Sequence, residues 1–477
     1  CGLTSHCTFG NKKSYDSCVA ESSYSNIYTI TGRTRFMSVK SEEYLITDAP
    51  LKALTIFALP MIIGSFFQQV YNMADSIIVG QYVGSAALAA VGACAALTNV
   101  FICVALGAGV GAGVLVSRAF GARSYDKMKT IVSTSLISFL VLGAILGALG
   151  LALSRPMMGL LQTPADIIEI AVLYLRVYFL GFPFLFMYNI LSSMFTSIGE
   201  SRIPLALLIF SSILNIVMDL WMVAVLGMGV YGAALATLIS QGISAVFSLL
   251  IFLRRMRRYP GRFAWFDREE LGSMLTIAVP SVLQQSTVSI GMMIVQAVVN
   301  PFGTQALAGY SATMRVENVF SLIFVSIGNA VSPYVSQNLG ARKTERVRKG
   351  YRAALLLDVF FALLAFLIIE TLHTQIAALF LGKDGTPLAY QVSGDYMKWL
   401  GYFFLFMGIK MATDGVLRGL GIMKPFLLAN MVNLGIRLSV ALILAPRYGI
   451  AFVWFAVPAG WLANFLISYT ALRKKWP

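Results

Sequence analysis

Asp75 and Asp219 stand inside long apolar runs, Asp75 after Gln68-Gln-Val-Tyr71-Asn-Met-Ala and Asp219 after Asn215-Ile-Val-Met. A carboxylate among membrane helices costs several kcal/mol unless it is paired or hydrated, so each such residue is a candidate for function. Gln68, Tyr71 and Asp75 follow an i, i+3, i+7 spacing that places them on one helical stripe, and Asn215 lies one turn from Asp219 on its face. Two carboxylates held close in a partly dehydrated site repel when both are ionised. Arrival of a cation, proton or sodium, relieves that repulsion. The competing reading is structural, in which these groups only pair with one another and hold helices together.

Other chemistries find no residues to carry them. His6 and His373 are the only histidines, and Cys1, Cys7, Cys18, Cys94 and Cys103 form no metal-binding pattern. Gly107-Ala-Gly-Val-Gly-Ala-Gly113 has neither a preceding strand nor a following Lys-Ser/Thr, so close helix packing explains it better than a phosphate loop. With no catalytic residues and no cofactor motif, a membrane-embedded enzyme is disfavoured.

The elements that must position the carboxylates are membrane helices. Of 477 residues 58% are hydrophobic and 12% charged, against about 45–50% and 25% in soluble domains, which excludes a soluble enzyme. Apolar segments punctuated by Gly, Pro or charge predict twelve spans, near 51–80, 86–117, 128–153, 165–192, 203–226, 230–253, 271–300, 305–336, 350–372, 391–416, 425–446 and 450–472. Pro60, Pro183 and Pro280 are candidate kinks. Counted from the outer span ends at 1.5 Å per residue, Asp75, Asp219 and Thr237 lie at roughly 12 Å and Tyr174 at about 15 Å, one common layer.

Alternate connections differ sharply in charge. Of 36 Lys and Arg, 28 fall on the side of the two termini, whereas Arg155, Lys383 and Arg447 are those of the opposite side. The positive-inside rule then makes both termini cytoplasmic, and the net charge of +15 needs no nucleic acid to explain it. Residues 1–50 are polar, contain no signal-peptide core, and are expected to be disordered, with Met37 as a plausible native start.

Gly84-Ser-Ala-Ala-Leu-Ala-Ala recurs as Gly303-Thr-Gln-Ala-Leu-Ala-Gly, and Ser117-Arg-Ala-Phe-Gly-Ala-Arg as Ser336-Gln-Asn-Leu-Gly-Ala-Arg, both at a shift of 219. The repeat therefore spans six helices. Six is even, so the copies enter from one side and are parallel repeats about an axis along the membrane normal. This predicts an all-α protein with an N-lobe at 51–253, a basic linker at 254–270, a C-lobe at 271–472 and a basic tail at 473–477. Two facing bundles suit an alternating-access carrier better than a channel.

From about Leu45 onward the sequence resembles the multidrug and toxic compound extrusion (MATE) family. The resemblance rests on Ala58-Leu-Pro-Met-Ile-Ile-Gly-Ser-Phe-Phe-Gln-Gln-Val-Tyr-Asn-Met-Ala-Asp-Ser-Ile-Ile-Val-Gly80, Gly199-Glu-Ser-Arg-Ile-Pro204, Asn215-Ile-Val-Met-Asp219, Gly229-Val-Tyr-Gly-Ala-Ala-Leu-Ala-Thr237 and Leu417-Arg-Gly419. It implies two six-helix lobes, a central cleft, and export of small amphipathic, often cationic compounds in exchange for protons or sodium. By resemblance to the DinF-like branch, Asp75, Asn215, Asp219, Thr237 and Tyr174 would bind the coupling ion, with sodium an option at Asp75 and Asp219. Gln68, Tyr71, Asn189, Gln284 and Arg315 are the candidate substrate contacts, although Asn189 lies too deep for the ion layer.

The second half departs from the first. At the repeat shift Asp75 corresponds to Ile294 and Asp219 to Arg437, and the region of span 7 where another branch carries an acid reads Gln284-Gln285-Ser-Thr-Val. Lys410 with Asp414 and Arg315 with Glu317 are expected as internal ion pairs. The expected partners are a small-molecule substrate and the lipid bilayer, with no nucleic acid, in a monomer of the plasma membrane. The runner-up function is a lipid-linked saccharide flippase, which should show a more basic cleft.

Overall fold

The computed structural model describes residues 43–382 and 385–476. Expectations for residues 1–42, the start at Met37 among them, and for Lys383 lie outside the described residues. The long helices are α1 (Pro50–Tyr82), α2 (Ser85–Gly121), α3 (Tyr125–Leu160), α4 (Ile168–Leu180), α5 (Phe182–Ser197), α6 (Arg202–Asp219) and α7 (Gly229–Met256) in the first half. The second half contains α8 (Arg268–Val299), α9 (Thr304–Gly340), α10 (Thr344–Leu381), α11 (Pro387–Leu420), α12 (Met423–Tyr448) and α13 (Ala451–Lys474). No strand occurs among the described residues.

Eleven spans are single helices by length and hydropathy, and α4 with α5, bent by 51°, makes the twelfth. The bend falls at Gly181, and Pro183, lacking an N–H, occupies the first turn of α5. Of the three candidate kinks, Pro183 marks the break, while Pro60 and Pro280 lie inside uninterrupted α1 and α8.

The helices outrun the apolar segments because their ends are amphipathic. α10 begins at Thr344, in Thr-Glu-Arg-Val-Arg-Lys, and buries Val347 from that polar turn. The basic stretch 254–270 is tied along α3: Lys129 donates to the Gly261 carbonyl (3.1 Å), Ser133 to that of Trp265 (2.7 Å), and the Asp267 N–H to Thr134 Oγ1 (3.0 Å). Asp267 then caps α8 by accepting from the Glu269 and Glu270 N–H groups. The polar segment expected to be loose up to residue 50 is already packed at Leu45. Leu45 and Ile46 are buried apolar side chains, and their carbonyls accept from Asn338 (3.0 Å) and Lys343 (3.1 Å).

Packing follows the six-helix repeat. α9 and α10 pack on α11, and α12 on α13, while α2 and α3 pack on α5, and α6 on α7. The two repeats meet where α2 lies against α8 and α9, and α1 against α9. The glycine run of α2 serves this approach, as the packing argument expects. A methyl group at Gly107 would come within 2.5 Å of the Val282 backbone nitrogen, and one at Gly111 within 2.6 Å of the Met274 carbonyl oxygen.

Candidate functional site

α6 delivers Asn215 and Asp219 to the interior of the first repeat, where Asp219 is fully buried and Asn215 nearly so. Directly after Asp219 the backbone widens into a π-helical turn, Leu220–Val225, a feature frequent at functional sites. With its amide oriented by its neighbours, Asn215 donates to Asp219 Oδ2 (2.9 Å) and to the Tyr71 hydroxyl (3.2 Å), and its oxygen accepts from the Thr237 N–H (3.1 Å). Asp75 and Tyr71 reach in from α1, near enough to Asp219 and to each other to interact electrostatically. Asp219 Oδ1 is buried with no hydrogen-bond partner. Five residues from α1, α6 and α7 thus gather at the Asp219 carboxyl.

Tyr174 stands beside Asp75 and stacks on Tyr178, their ring centroids 6.1 Å apart. Tyr174 also packs on an apolar cluster of Ile78, Val79, Ala87, Val223, Val230 and Ala233, in which Ile78 and Val79 lie about one turn beyond Asp75 and Val223 one turn beyond Asp219. Tyr178, near enough to Tyr71 to interact electrostatically, was not singled out from sequence. Its i+4 position from Tyr174 was the available signal. Gln68 is exposed on α1, and Asn72 and Ser76 continue an exposed polar stripe beside it. A polar stripe is not what a lipid-facing surface carries.

At the positions corresponding to the acid pair the second repeat carries Ile294 and Arg437. Lys410 and Asp414 form the expected buried bridge (3.0 Å), and Asp414 also accepts from Asn430 (3.2 Å) and Ser468 (3.2 Å). The expected Arg315–Glu317 pair is not made. Residues two apart point to nearly opposite helix faces, so Arg315 is exposed while buried Glu317 accepts from the Tyr396 hydroxyl (2.5 Å). Asn189 and Gln284 are not among the residues gathered at the acid pair, and both line a cavity of about 240 Å³ between the repeats. Asn329 and Arg418 also line it and were not proposed from sequence. Among the described residues no group of His, Cys, Asp and Glu suits a metal.

Below that cavity the repeated Ser-x-x-x-Gly-Ala-Arg segments cross. A methyl group at Gly121 would overlap the Gln337 carbonyl oxygen, and one at Gly340 the Arg118 carbonyl oxygen. The Ser197 carbonyl accepts from Ser117 (3.0 Å) and Gln337 (2.7 Å), and the Gly419 carbonyl from Ser336 (2.9 Å) and Arg118 (3.3 Å). Each contact of one repeat has its counterpart in the other.

A family profile for MatE matches residues 60–221 and again 280–443. "Probable multidrug resistance protein YoeA" of Bacillus subtilis is 28% identical over 91% of this chain and 97% of its own length. Multidrug export protein MepA of Staphylococcus aureus is 27% identical over 81% and 87%. A solved structure described as the outward-facing conformation of a multidrug resistance MATE transporter of the MOP superfamily superimposes with a TM-score of 0.83 at 25% identity, over 90% of this chain and 97% of that one. A MOP superfamily transporter from Pyrococcus furiosus shares the fold, with a TM-score of 0.82 at 24% identity.

Proposed function

Because this chain belongs to the MatE family, we propose that it is a secondary active exporter of small amphipathic compounds, cationic ones among them, driven by inward movement of protons or sodium. The observation that carries the coupling is the Asp75–Asp219 pair, packed with Asn215, Tyr71 and Thr237 around a buried carboxylate oxygen that has no donor. An arriving proton or sodium ion would be held at that oxygen, between two carboxylates whose mutual repulsion it relieves. The multidrug names of YoeA and MepA support the substrate class.

With both termini cytoplasmic, as the distribution of basic residues favours, the crossing of α2 and α9 closes the cytoplasmic end. The polar stripe Gln68, Asn72 and Ser76 then faces a cleft open to the outside. A cation entering there neutralises the acid pair, altering the packing of α1 around Pro60 and loosening the hold of Gln68 and Tyr71 on a cationic substrate. Reciprocity requires substrate to weaken ion binding by the same factor. No step breaks a covalent bond, so the reading is transport and not catalysis.

Efflux from proteoliposomes under separately imposed proton and sodium gradients tests this. Acceleration by one of the two is expected, and equal rates with either gradient or none would overturn the coupling.

A further inference from the structure

The cavity between the repeats carries a charge opposite in sign to the acid pair. Its polar lining includes Asn189 and Ser193 from α5, Gln284 and Gln285 from α8, and Asn329 from α9. Arg418, on α11, is the single charged residue among those lining it. One guanidinium nitrogen of Arg418 donates to Asn329 Oδ1 (3.0 Å), while its Nε is buried with no hydrogen-bond partner.

The nearby charges do not balance. Asp414 lies within electrostatic reach of Arg418, but it is already bound to Lys410, Asn430 and Ser468. Two cations share one carboxylate, which leaves one positive charge in excess facing a chamber of neutral hydrogen-bonding groups. Guanidinium offers several N–H donors in a plane, the geometry that carboxylate, sulfonate and phosphate oxygens accept. A low-dielectric site with excess positive charge favours such an oxyanion over an ammonium group.

We propose that this chamber is a binding site for the acidic group of a soluble organic anion or zwitterion, with Arg418 as its anchor. The proposal rests on the transport reading and extends its substrate class: with the coupling cation neutralising the acid pair, the substrate's own charge need not be positive. Asn189 and Gln284, candidate substrate contacts from the sequence, would then bind the neutral part of such molecules.

Naphthalene-2-sulfonate and 2-naphthyltrimethylammonium, alike in body and opposite in charge, are the probes. Their binding to the full chain in detergent is measured by calorimetry. The sulfonate should bind the unmodified chain, weaken at least roughly tenfold in Arg418→Gln, and persist in Arg418→Lys. Asn329→Asp guards against misfolding: it places a carboxylate where Arg418 already bonds, so the fold holds while the excess charge disappears, and sulfonate binding should fall as in Arg418→Gln. Unchanged sulfonate affinity in Asn329→Asp, or equal affinity of the unmodified chain for both probes, would overturn the proposal. Arg418-dependent binding of phosphatidate in nanodiscs without binding of the sulfonate would equally overturn it in favour of a lipid phosphate. Gradient-driven efflux of the ammonium probe alone would leave the transport reading intact while this inference fell. Sulfonate binding without gradient-driven movement of either probe would do the reverse.

Discussion

Asp219 has no solvent exposure and one carboxylate oxygen without a donor. Asp219→Asn keeps the shape and the bond to Asn215 but removes the charge that attracts a cation. The variant should fold and reach the membrane yet lose gradient-driven efflux, and Asp75→Asn should do likewise. Wild-type rates and ion dependence in either reconstituted variant would refute the assignment. Lys410 is the opposite case, a charge whose partner is present. Lys410→Met leaves Asp414 buried and unpaired, with an expected loss of about 3–5 kcal/mol, and Lys410→Met with Asp414→Leu should recover much of it. Thermal unfolding in detergent measures both. The rarity of embedded acids and a count of helical depth put Asp75, Asp219 and Thr237 in one layer with Asn215 a turn away, and the family resemblance joined them as a set. Sequence reasoning missed Arg418 and Asn329 because their meeting depends on how α9 and α11 pack, which no spacing within either helix records. It also paired Arg315 with Glu317 by proximity along the chain, where helical geometry points them apart.

At the scale of elements, apolar length and Gly/Pro punctuation located the middle of each membrane helix but not its ends: the span expected at 350–372 is the helix Thr344–Leu381. The π-helical turn after Asp219 was not readable, because nothing in Leu220-Trp-Met-Val-Ala-Val marks it. The crossing of α2 and α9 yields the sharpest element-level test. In Gly340→Ala the new methyl meets the Arg118 carbonyl, a backbone atom that cannot step aside. Overpacking of about 1–3 kcal/mol would move the closed-to-open ratio by roughly tenfold. Thr196→Cys, placed in the cavity lining with the native cysteines replaced, should then react about tenfold faster with a charged thiol reagent applied from the basic side. Gly435→Ala, whose methyl would meet nothing within 4 Å, serves as the control and should leave labelling unchanged. Equal labelling in both variants would show that this crossing is not the closure.

For the whole molecule, the repeat visible in sequence is also a symmetry of contacts. Residue 118 faces 340 and residue 337 faces 121, so each position meets the counterpart of its own near neighbour. Two separate polypeptides related by a twofold axis make contacts of this self-complementary kind. The crossing therefore has the form of a homodimer interface held inside one chain. In such a dimer a single substitution changes both sides at once. A single chain is free of that constraint, and the halves differ: Arg118 stands where its counterpart is Gln337, and the acid pair of one half stands opposite Ile294 and Arg437 in the other. Within one chain, then, the two halves share a backbone crossing but not the charges they place inside the membrane.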